Sequence, residues 1–246
     1  MGTVVGAVVT IIFFAPARWL AAVLRDQTQG YVLLVNPRGT VWNGVANVVF
    51  ASGAGGAESV SLPGLVSWKL RPHWGGASAA LDIPCCATQP LGFVAQPQGN
   101  GLRLAWADGQ SRWPAAMLTG FGAPWNSLKP EGMLDLSTQS LVIHFKPGLL
   151  ALEGRASVDA TDLAIGLSTV RPLGSYHVAI EGGPAPTLLL TTREGSLQLN
   201  GSGQWTGRAM RFSGEASAAP GREAALSNLL NIIGRRDGAR SLITLG

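Results

Sequence analysis

The chain has 246 residues, of which 46% are hydrophobic and only 13% are charged. Disorder requires low hydrophobicity and high charge, so this composition excludes an intrinsically disordered chain. The formal net charge of +4 comes from basic residues scattered along the chain, which argues against nucleic-acid binding. The 33 Gly and 15 Pro predict many turns, and therefore short strands more than long helices.

An apolar segment opens the chain. Residues 2–17 carry only two polar side chains, both threonine, and residues 19–24 are apolar after the interruption by Arg18. A helix over residues 3–24 would be about 33 Å long, which matches a bilayer core of about 30 Å. Arg18 can reach the membrane interface beside Trp19. The sequence therefore predicts a single membrane anchor over residues 1–25.

Two features of this segment keep alternatives open. Ala15-Pro16-Ala17 has the Ala-x-Ala form of a signal-peptide cleavage site, so a cleaved leader is the alternative to an anchor. No basic residue precedes the apolar run, whereas Arg18 and Arg25 follow it. The positive-inside rule, taken literally, then places the rest of the chain in the cytoplasm. A true N-terminus upstream of Met1 would remove that conflict.

From Tyr31 onward, short apolar or alternating segments between turn residues predict an antiparallel meander. The predicted fold is mainly β: an N-terminal transmembrane helix followed by a twisted antiparallel β-sheet domain over residues 29–246 with one short C-terminal helix. The stretch over residues 75–98 is the best place for an internal boundary, but its low polarity favours one continuous domain. The predicted strands cover residues 31–35, 45–51, 65–70, 91–95, 102–106, 132–145, 149–158, 175–180, 187–192, 196–205, 208–216 and 241–245.

Two helical segments are predicted beyond the anchor. Residues 222–233 carry apolar side chains at three- and four-residue spacings, among them Leu226, Leu229 and Leu230. Gly234 follows at the position of a left-handed C′ residue. Residues 114–118 predict a short helical turn.

Residue types that carry chemistry form no recognisable motif. A disulfide ring closed between neighbours is strained, so Cys85 and Cys86 are interpreted as two buried free cysteines. His73, His144 and His177 lack metal-ligand spacing, and His144 is expected to face solvent or to form a hydrogen bond. The chain has neither a nucleophile elbow nor a phosphate-binding loop. The sequence therefore predicts no catalytic residue, no metal site and no cofactor, so the chain is not predicted to be an enzyme.

Eight tryptophans stand beside only two tyrosines. The four in strand candidates are predicted to anchor the core, since each ring can bury about 150–250 Å²; they are Trp42, Trp68, Trp106 and Trp205. A groove lined with aromatic residues for a protein or a lipid is the alternative for these four. The predicted interface residues, which lie next to Pro or Gly in predicted loops, are Trp74, Trp113 and Trp125.

Short phrases in a fixed order resemble the type II secretion system protein N family. Each phrase alone is unspecific, so the resemblance rests on the order and spacing of the phrases along the chain. In the first of them, a Gly at each end of a β-branched and aromatic run indicates a turn, a short strand and another turn. The phrases occupy residues 39–44 (GTVWNG), 62–70 (LPGLVSWKL), 125–128 (WNSL), 132–136 (GMLDL), 172–176 (PLGSY) and 229–238 (LLNIIGRRDG).

The resemblance implies a single-pass protein of the bacterial inner membrane with its C-terminal domain in the periplasm. Such a protein is an accessory part of the machine that exports folded proteins across the outer membrane, and no catalytic residue is implied. Its expected partners are other type II secretion subunits, either inner-membrane components or the secretin, together with the membrane through the N-terminal helix.

The alternative function is a membrane-anchored lipid-binding or lipid-transfer β-groove protein of the cell envelope. A continuous, open apolar face would favour lipid, and a filled core with aromatic residues at its rim would favour a protein partner. A third option, an envelope hydrolase, would need a cleft with converging polar groups.

Overall fold

The computed structural model describes residues 14–53, 59–146, 149–206 and 209–246. These residues are mainly β, and the predicted antiparallel sheet with a short C-terminal helix is confirmed. The helices are α1 (Ala17–Gln27), a 3-10 helix (Ala115–Phe121), α2 (Trp125–Leu128) and α3 (Glu223–Ile233). The strands are β1 (Val32–Gly39), β2 (Asn43–Ala51), β3 (Ser59–Ser61), β4 (Val66–His73), β5 (Gly76–Asp82), β6 (Leu91–Gln98), β7 (Gly101–Trp106), β8 (Gly109–Pro114), β9 (Glu131–Lys146), β10 (Leu149–Ala164), β11 (Gly174–Gly183), β12 (Thr187–Gly195), β13 (Leu197–Trp205), β14 (Met210–Ala218), β15 (Arg235–Asp237) and β16 (Arg240–Leu245).

The chain divides into two compact units. The first unit comprises the described residues up to Phe93 together with Met117–Asn126. The second unit comprises Val94–Ala116 and Ser127–Gly246. The boundary between Phe93 and Val94 falls inside the stretch over residues 75–98. The prediction of one continuous domain over residues 29–246 stays a prediction.

The first unit has the strand order β1-β2-β4-β5, and β3 shares with β4 the same edge of β2. Its core forms around Trp68, which is 4% exposed and packs with Ala17 and Ala46. The indole N–H of Trp68 donates a hydrogen bond to the Val41 carbonyl at 3.0 Å. The Trp68 ring also lies so close to Gly44 that a Cβ there would overlap it. The turn between β1 and β2 is therefore shaped to receive Trp68.

The second unit contains the long strands β9 and β10, of 16 residues each. Its strand order runs β7-β9-β10-β11-β12-β13-β14-β16-β15, and β8 continues β7 along the same edge of β9. A register shift interrupts the β9–β10 pairing at Gly154, which has φ +78° and lies against the Ser140 carbonyl. A Cβ at Gly154 would collide with that carbonyl, so the shift needs glycine.

Helix α3 covers one end of the second unit's sheet. Leu226, Leu229 and Leu230 are buried against Leu197 and Ala216. The helix predicted over residues 222–233 is thus present, and its apolar spacing faces the sheet as expected. The prediction for Gly234 is wrong, because this residue is extended (φ −172°) and leads directly into β15. No left-handed residue is needed where a helix passes straight into a strand.

The predicted anchor helix is not continuous within the residues that the structure describes. Pro16 is extended (φ −70°, ψ 146°) and bridges to Thr40, and α1 begins only at Ala17. The Val41 N–H donates to the Ala15 carbonyl at 2.8 Å, which ties this segment to the first unit. Among the described residues, no helix is both long and apolar enough to span a bilayer. Residues 1–13 of the predicted anchor lie outside the described residues.

The prediction of two free cysteines is wrong. Cys85 and Cys86 form a disulfide in the loop between β5 and β6, and Cys86 is the buried member. The Ile83 carbonyl accepts the N–H groups of both Cys86 and Ala87 at 2.9 Å, which fixes a tight turn at the pair. The sequence showed that the cysteines are adjacent, but it did not show this turn.

Candidate interaction surfaces

Alternate side chains of the second unit's strands form a half-buried apolar surface. Residues directly opposite each other in an antiparallel pair share a face, so the register groups the side chains into rows. One row runs Leu136–Val158–Val178–Leu190 across β9–β12. The next row adds aliphatic side chains of β10, β11 and β12. We call this surface the apolar face, and it comprises Leu136, Ala156, Val158, Val178, Ile180, Leu188 and Leu190.

Glycines extend the apolar face onto β13 and β14. The row that includes Leu190 continues through Gly201 and Gly214 to Ile243. The Phe212 ring lies over these glycines, so a Cβ on Gly201 would overlap it and one on Gly214 would crowd it. Helix α3 packs on β14, β15 and β16, at the end of the face that holds Ile243. Within the second unit, α3 therefore does not cover the rows on β9–β12.

The opposite face of the same strands is polar and ion-paired. Asp159 accepts a hydrogen bond from Nδ1 of His177 at 2.7 Å and lies 3.5 Å from Nη2 of Arg193. Arg112 donates two hydrogen bonds to Asp135, at 2.6 and 2.9 Å. These bonds hold the pKa of the Asp135 carboxyl below its ordinary value. This face is organised by pairs of opposite charge that satisfy each other.

Two shallow clefts lie on the polar face. The larger, of about 630 Å³, lies over β11–β14 and is bordered by Glu181, Leu189 and Arg211. The smaller, of about 200 Å³, includes His177 and two serines. The hydroxyls of Ser137 and Ser157 bond to each other at 2.8 Å. No cluster able to hold a metal ion occurs among the described residues.

The three predicted interface tryptophans lie on separate elements. Trp74 is fully exposed at the tip of the β4–β5 hairpin, next to Gly75 with φ +91°. Trp125 begins α2 and is 39% exposed. Trp113 is on β8 and half-buried, and its Nε1 donates to the Ser111 hydroxyl at 2.8 Å. The loop predicted for Trp113 is wrong, because β8 pairs with β9 and places Trp113 opposite Leu134. The interface role of the three residues stays a prediction.

The four tryptophans predicted for the core differ in burial. Trp68 is buried as predicted. Trp42, Trp106 and Trp205 are only half-buried, and Trp42 lies in the turn between β1 and β2. A sheet that is open on one face gives Trp106 and Trp205 neighbours along the strands without complete burial.

Strand β1 of the first unit and strand β15 of the second unit are poorly suited to pair with another chain. The Thr28 hydroxyl accepts the Val32 N–H at 3.1 Å and lies 3.3 Å from the Val32 carbonyl, so it occupies the outer edge of β1. Further along β1, Pro37 has no N–H to donate. At the end of the second unit's ladder, β15 is only three residues long and fully exposed. Short, capped or proline-containing edges are typical protection against strand addition.

The apolar face was not predicted from the sequence, although its signal is present in single strands. In β11, Tyr176, Val178 and Ile180 alternate with His177 and Ala179. Such alternation predicts one apolar and one polar face for a strand. The rows themselves depend on the register between strands, which one sequence does not specify.

The fold and these surfaces define a mainly β protein with an open sheet, one apolar face and one ion-paired face. A family model described as "Type II secretion system (T2SS), protein N" matches residues 31–243. The chain therefore belongs to the type II secretion system protein N family, and the resemblance seen in the sequence is confirmed. This is an accessory family of a secretion system and not a known enzyme family. No curated protein matches the chain, and no solved structure matches it either.

Proposed function

We propose that the chain is an accessory component of the type II secretion machinery that acts through protein–protein contacts in the periplasm. In this role it supports the export of folded proteins across the outer membrane. The observation that carries the proposal is the family match over residues 31–243. The proposed partners are inner-membrane subunits of the system or its secretin. The proposed location is the bacterial inner membrane, with a single span near the N-terminus and the C-terminal part in the periplasm.

Contact through side chains fits the structure better than strand addition does. The outer edge of β1 is occupied by Thr28, and β15 is short. Exposed aromatic side chains offer an alternative, because Trp is enriched among the residues that dominate binding energy. Trp74 is exposed at the tip of the β4–β5 hairpin, and Trp125 is exposed at the start of α2. Both are proposed contact residues, and Trp113 is proposed as a third.

A second candidate function, lipid binding, is favoured by the apolar face. Its seven side chains lie in adjoining rows on β9–β12 and remain half-buried. Neighbouring strands are about 4.8 Å apart, so four strands give a surface roughly 14 Å wide between the outer strands. A contiguous apolar surface that the chain leaves partly uncovered is a candidate binding site for a protein or a lipid. In this alternative, the chain is a membrane-anchored lipid-binding or lipid-transfer protein of the cell envelope.

Affinity purification of the tagged full chain from gently solubilised membranes tests both candidates. The bound proteins and the bound lipids are measured in the same eluate. The proposal predicts enrichment of secretion-system inner-membrane subunits or of the secretin, with lipid at background. Stoichiometric phospholipid or lipopolysaccharide without those subunits would overturn it and support the lipid-binding candidate.

Two neighbouring leucines supply a matched pair of variants for this purification. Leu190 lies on the apolar face, whereas Leu189 is 51% exposed on the polar face. If the apolar face makes the contact, Leu190→Gln reduces recovery of the bound species about tenfold, which corresponds to about 1.4 kcal/mol. Leu189→Gln leaves recovery unchanged. Equal thermal unfolding curves for the two variants show that the difference comes from binding.

A further inference from the structure

We propose that the outer face of α1 binds the surface of a bilayer containing anionic phospholipid. Helix α1 is fixed to the first unit by its inner face, where Ala17 is buried and Leu20 packs against the core. The outer face carries Trp19, 49% exposed, and Val23, 58% exposed. Phe14, three residues before the helix, is 73% exposed. These three large apolar side chains therefore leave about half or more of their surface uncovered by the first unit.

The geometry of α1 arranges the exposed residues as an interfacial helix does. Trp19 and Val23 are four residues apart and neighbours on the helix surface. Arg18 and Arg25 are seven residues apart, so at 3.6 residues per turn they share one flank, about a third of a turn from Trp19 and Val23. An apolar strip beside a basic flank, on a helix that does not span the bilayer, is typical of segments that lie in the membrane interface. The Asp26 carboxylate on this side is paired with Arg25 at 3.1 Å.

Three observations favour a lipid surface over a protein as the occupant. Aromatic residues such as Trp19 concentrate at the level of the headgroups. Arg18 and Arg25 are exposed, and a basic side chain near an anionic leaflet strengthens attachment roughly fivefold. The sequence before Phe14 is also apolar, with only two threonines as polar side chains between residues 2 and 13. The strip on α1 thus continues an apolar part of the chain.

This inference rests on the membrane attachment proposed above, and it places α1 on the membrane surface beside the proposed span and not within it. A helix packed on the first unit and lying flat on the bilayer would hold that unit against the membrane surface. The sequence-based prediction was different, since it made residues 17–24 the last turns of a spanning helix. The two arrangements place Trp19 and Val23 at different depths in the bilayer.

Depth-dependent fluorescence quenching separates the two arrangements. The full chain is reconstituted in vesicles of phosphatidylethanolamine and phosphatidylglycerol that contain phospholipid brominated at either a shallow or a deep acyl position. We expect shallow bromine to quench part of the tryptophan emission of the wild type. This quenched part should be absent in Trp19→Phe. The control Trp74→Phe, at the fully exposed hairpin tip, keeps that part of the quenching. A Val23→Trp reporter in the Trp19→Phe background is expected to be quenched at the same shallow depth.

The lipid dependence gives a second measurement on the same samples. Because Arg18 and Arg25 are exposed, replacing phosphatidylglycerol by phosphatidylcholine, or raising the salt to about 0.5 M, is expected to reduce shallow quenching of Trp19. Unchanged quenching in Trp19→Phe, or a Val23→Trp reporter quenched only by deep bromine, overturns the inference. The inference is also overturned if a bound protein, in the absence of lipid, shields the fluorescence of Trp19.

The secretion role is tested separately with Trp19→Ser combined with Val23→Ser. We expect this variant to lose shallow quenching contributed by α1 and to retain secretion subunits in the affinity purification. If the wild type shows no shallow quenching but retains those subunits, the inference on α1 fails and the proposed function stands. If quenching is as expected and no subunit is recovered from wild type, the proposed function fails instead.

Discussion

Tyr176 connects β11 to the first residue of β13. Its ring is 4% exposed, and its hydroxyl donates to the Leu197 carbonyl at 3.0 Å. Burial raises the pKa of this phenol well above its ordinary value, so the hydroxyl stays protonated and remains a donor at neutral pH. Tyr176→Phe is expected to lower the free energy of unfolding by about 1–2 kcal/mol, measured by urea denaturation. Tyr31→Phe, at the chain's other and partly exposed tyrosine, should stay within about 0.5 kcal/mol of wild type. Equal losses in the two variants would contradict this role.

Asp135 gives the second unit a pH-dependent contact. Arg112 on β8 holds the pKa of the Asp135 carboxyl on β9 below its ordinary value. A carboxyl with a lowered folded-state pKa stabilises the fold above its unfolded pKa, about 3.9, and this stabilisation is lost as pH falls through the folded value. Asp135→Asn is therefore expected to unfold at a slightly lower urea midpoint than wild type at pH 7. The two midpoints should converge in acid, and the effect is small because both groups are exposed. A difference that is the same at neutral and acid pH would exclude the ion pair as its cause.

Strands β12 and β13 are joined at one position by a side chain. Their paired register covers Thr187–Leu190, and beyond it the Thr192 hydroxyl accepts the Leu199 N–H at 2.6 Å and donates to the Leu199 carbonyl at 2.8 Å. Thr192→Val keeps the shape but removes both bonds. We expect a loss of about 1–3 kcal/mol in the free energy of unfolding and faster hydrogen exchange at the Leu199 amide. Thr191→Val, one residue away on the other face, is the control and should change stability by no more than about 0.5 kcal/mol.

Most elements were predictable because their signals are local. The apolar spacing of residues 222–233 specified α3, and alternation specified strands such as β11 and β13. Strand β5 (Gly76–Asp82) was missed because its small residues lack periodicity, and its pairing with β4 supplies what the local sequence does not. Strand β8 was missed for a related reason, since it gains its partner, β9, only in the folded chain.

The interaction surfaces were harder to predict than the elements. The family could be predicted from the short phrases along the chain, because their order and spacing can be read from one sequence. The apolar face could not, because Val158 and Val178 become neighbours only through the register of β10 and β11. The break at Pro16, in contrast, had a local signal, because proline disfavours helical backbone at the residue before it; the bridge to Thr40 is the distant contact that accompanies the break.

At the scale of the whole molecule, the composition and the surfaces agree. A chain with 46% hydrophobic and 13% charged residues must place many apolar side chains where burial is incomplete. The apolar face of the second unit and the outer face of α1 are two such places. The few charges are used in pairs on the polar face, such as Arg112 with Asp135 and Arg193 with Asp159.

The capped edge of β1 bears on whether related proteins of different secretion systems can replace one another. In strand addition, the backbone hydrogen bonds that give affinity are the same for every chain, and only side-chain pockets give specificity. With Thr28 occupying the Val32 edge, recognition falls instead to side chains, whose identity differs from one chain to another. In the proposed role, a related protein from another secretion system is therefore expected to replace this chain only when its contacting side chains are transplanted as well.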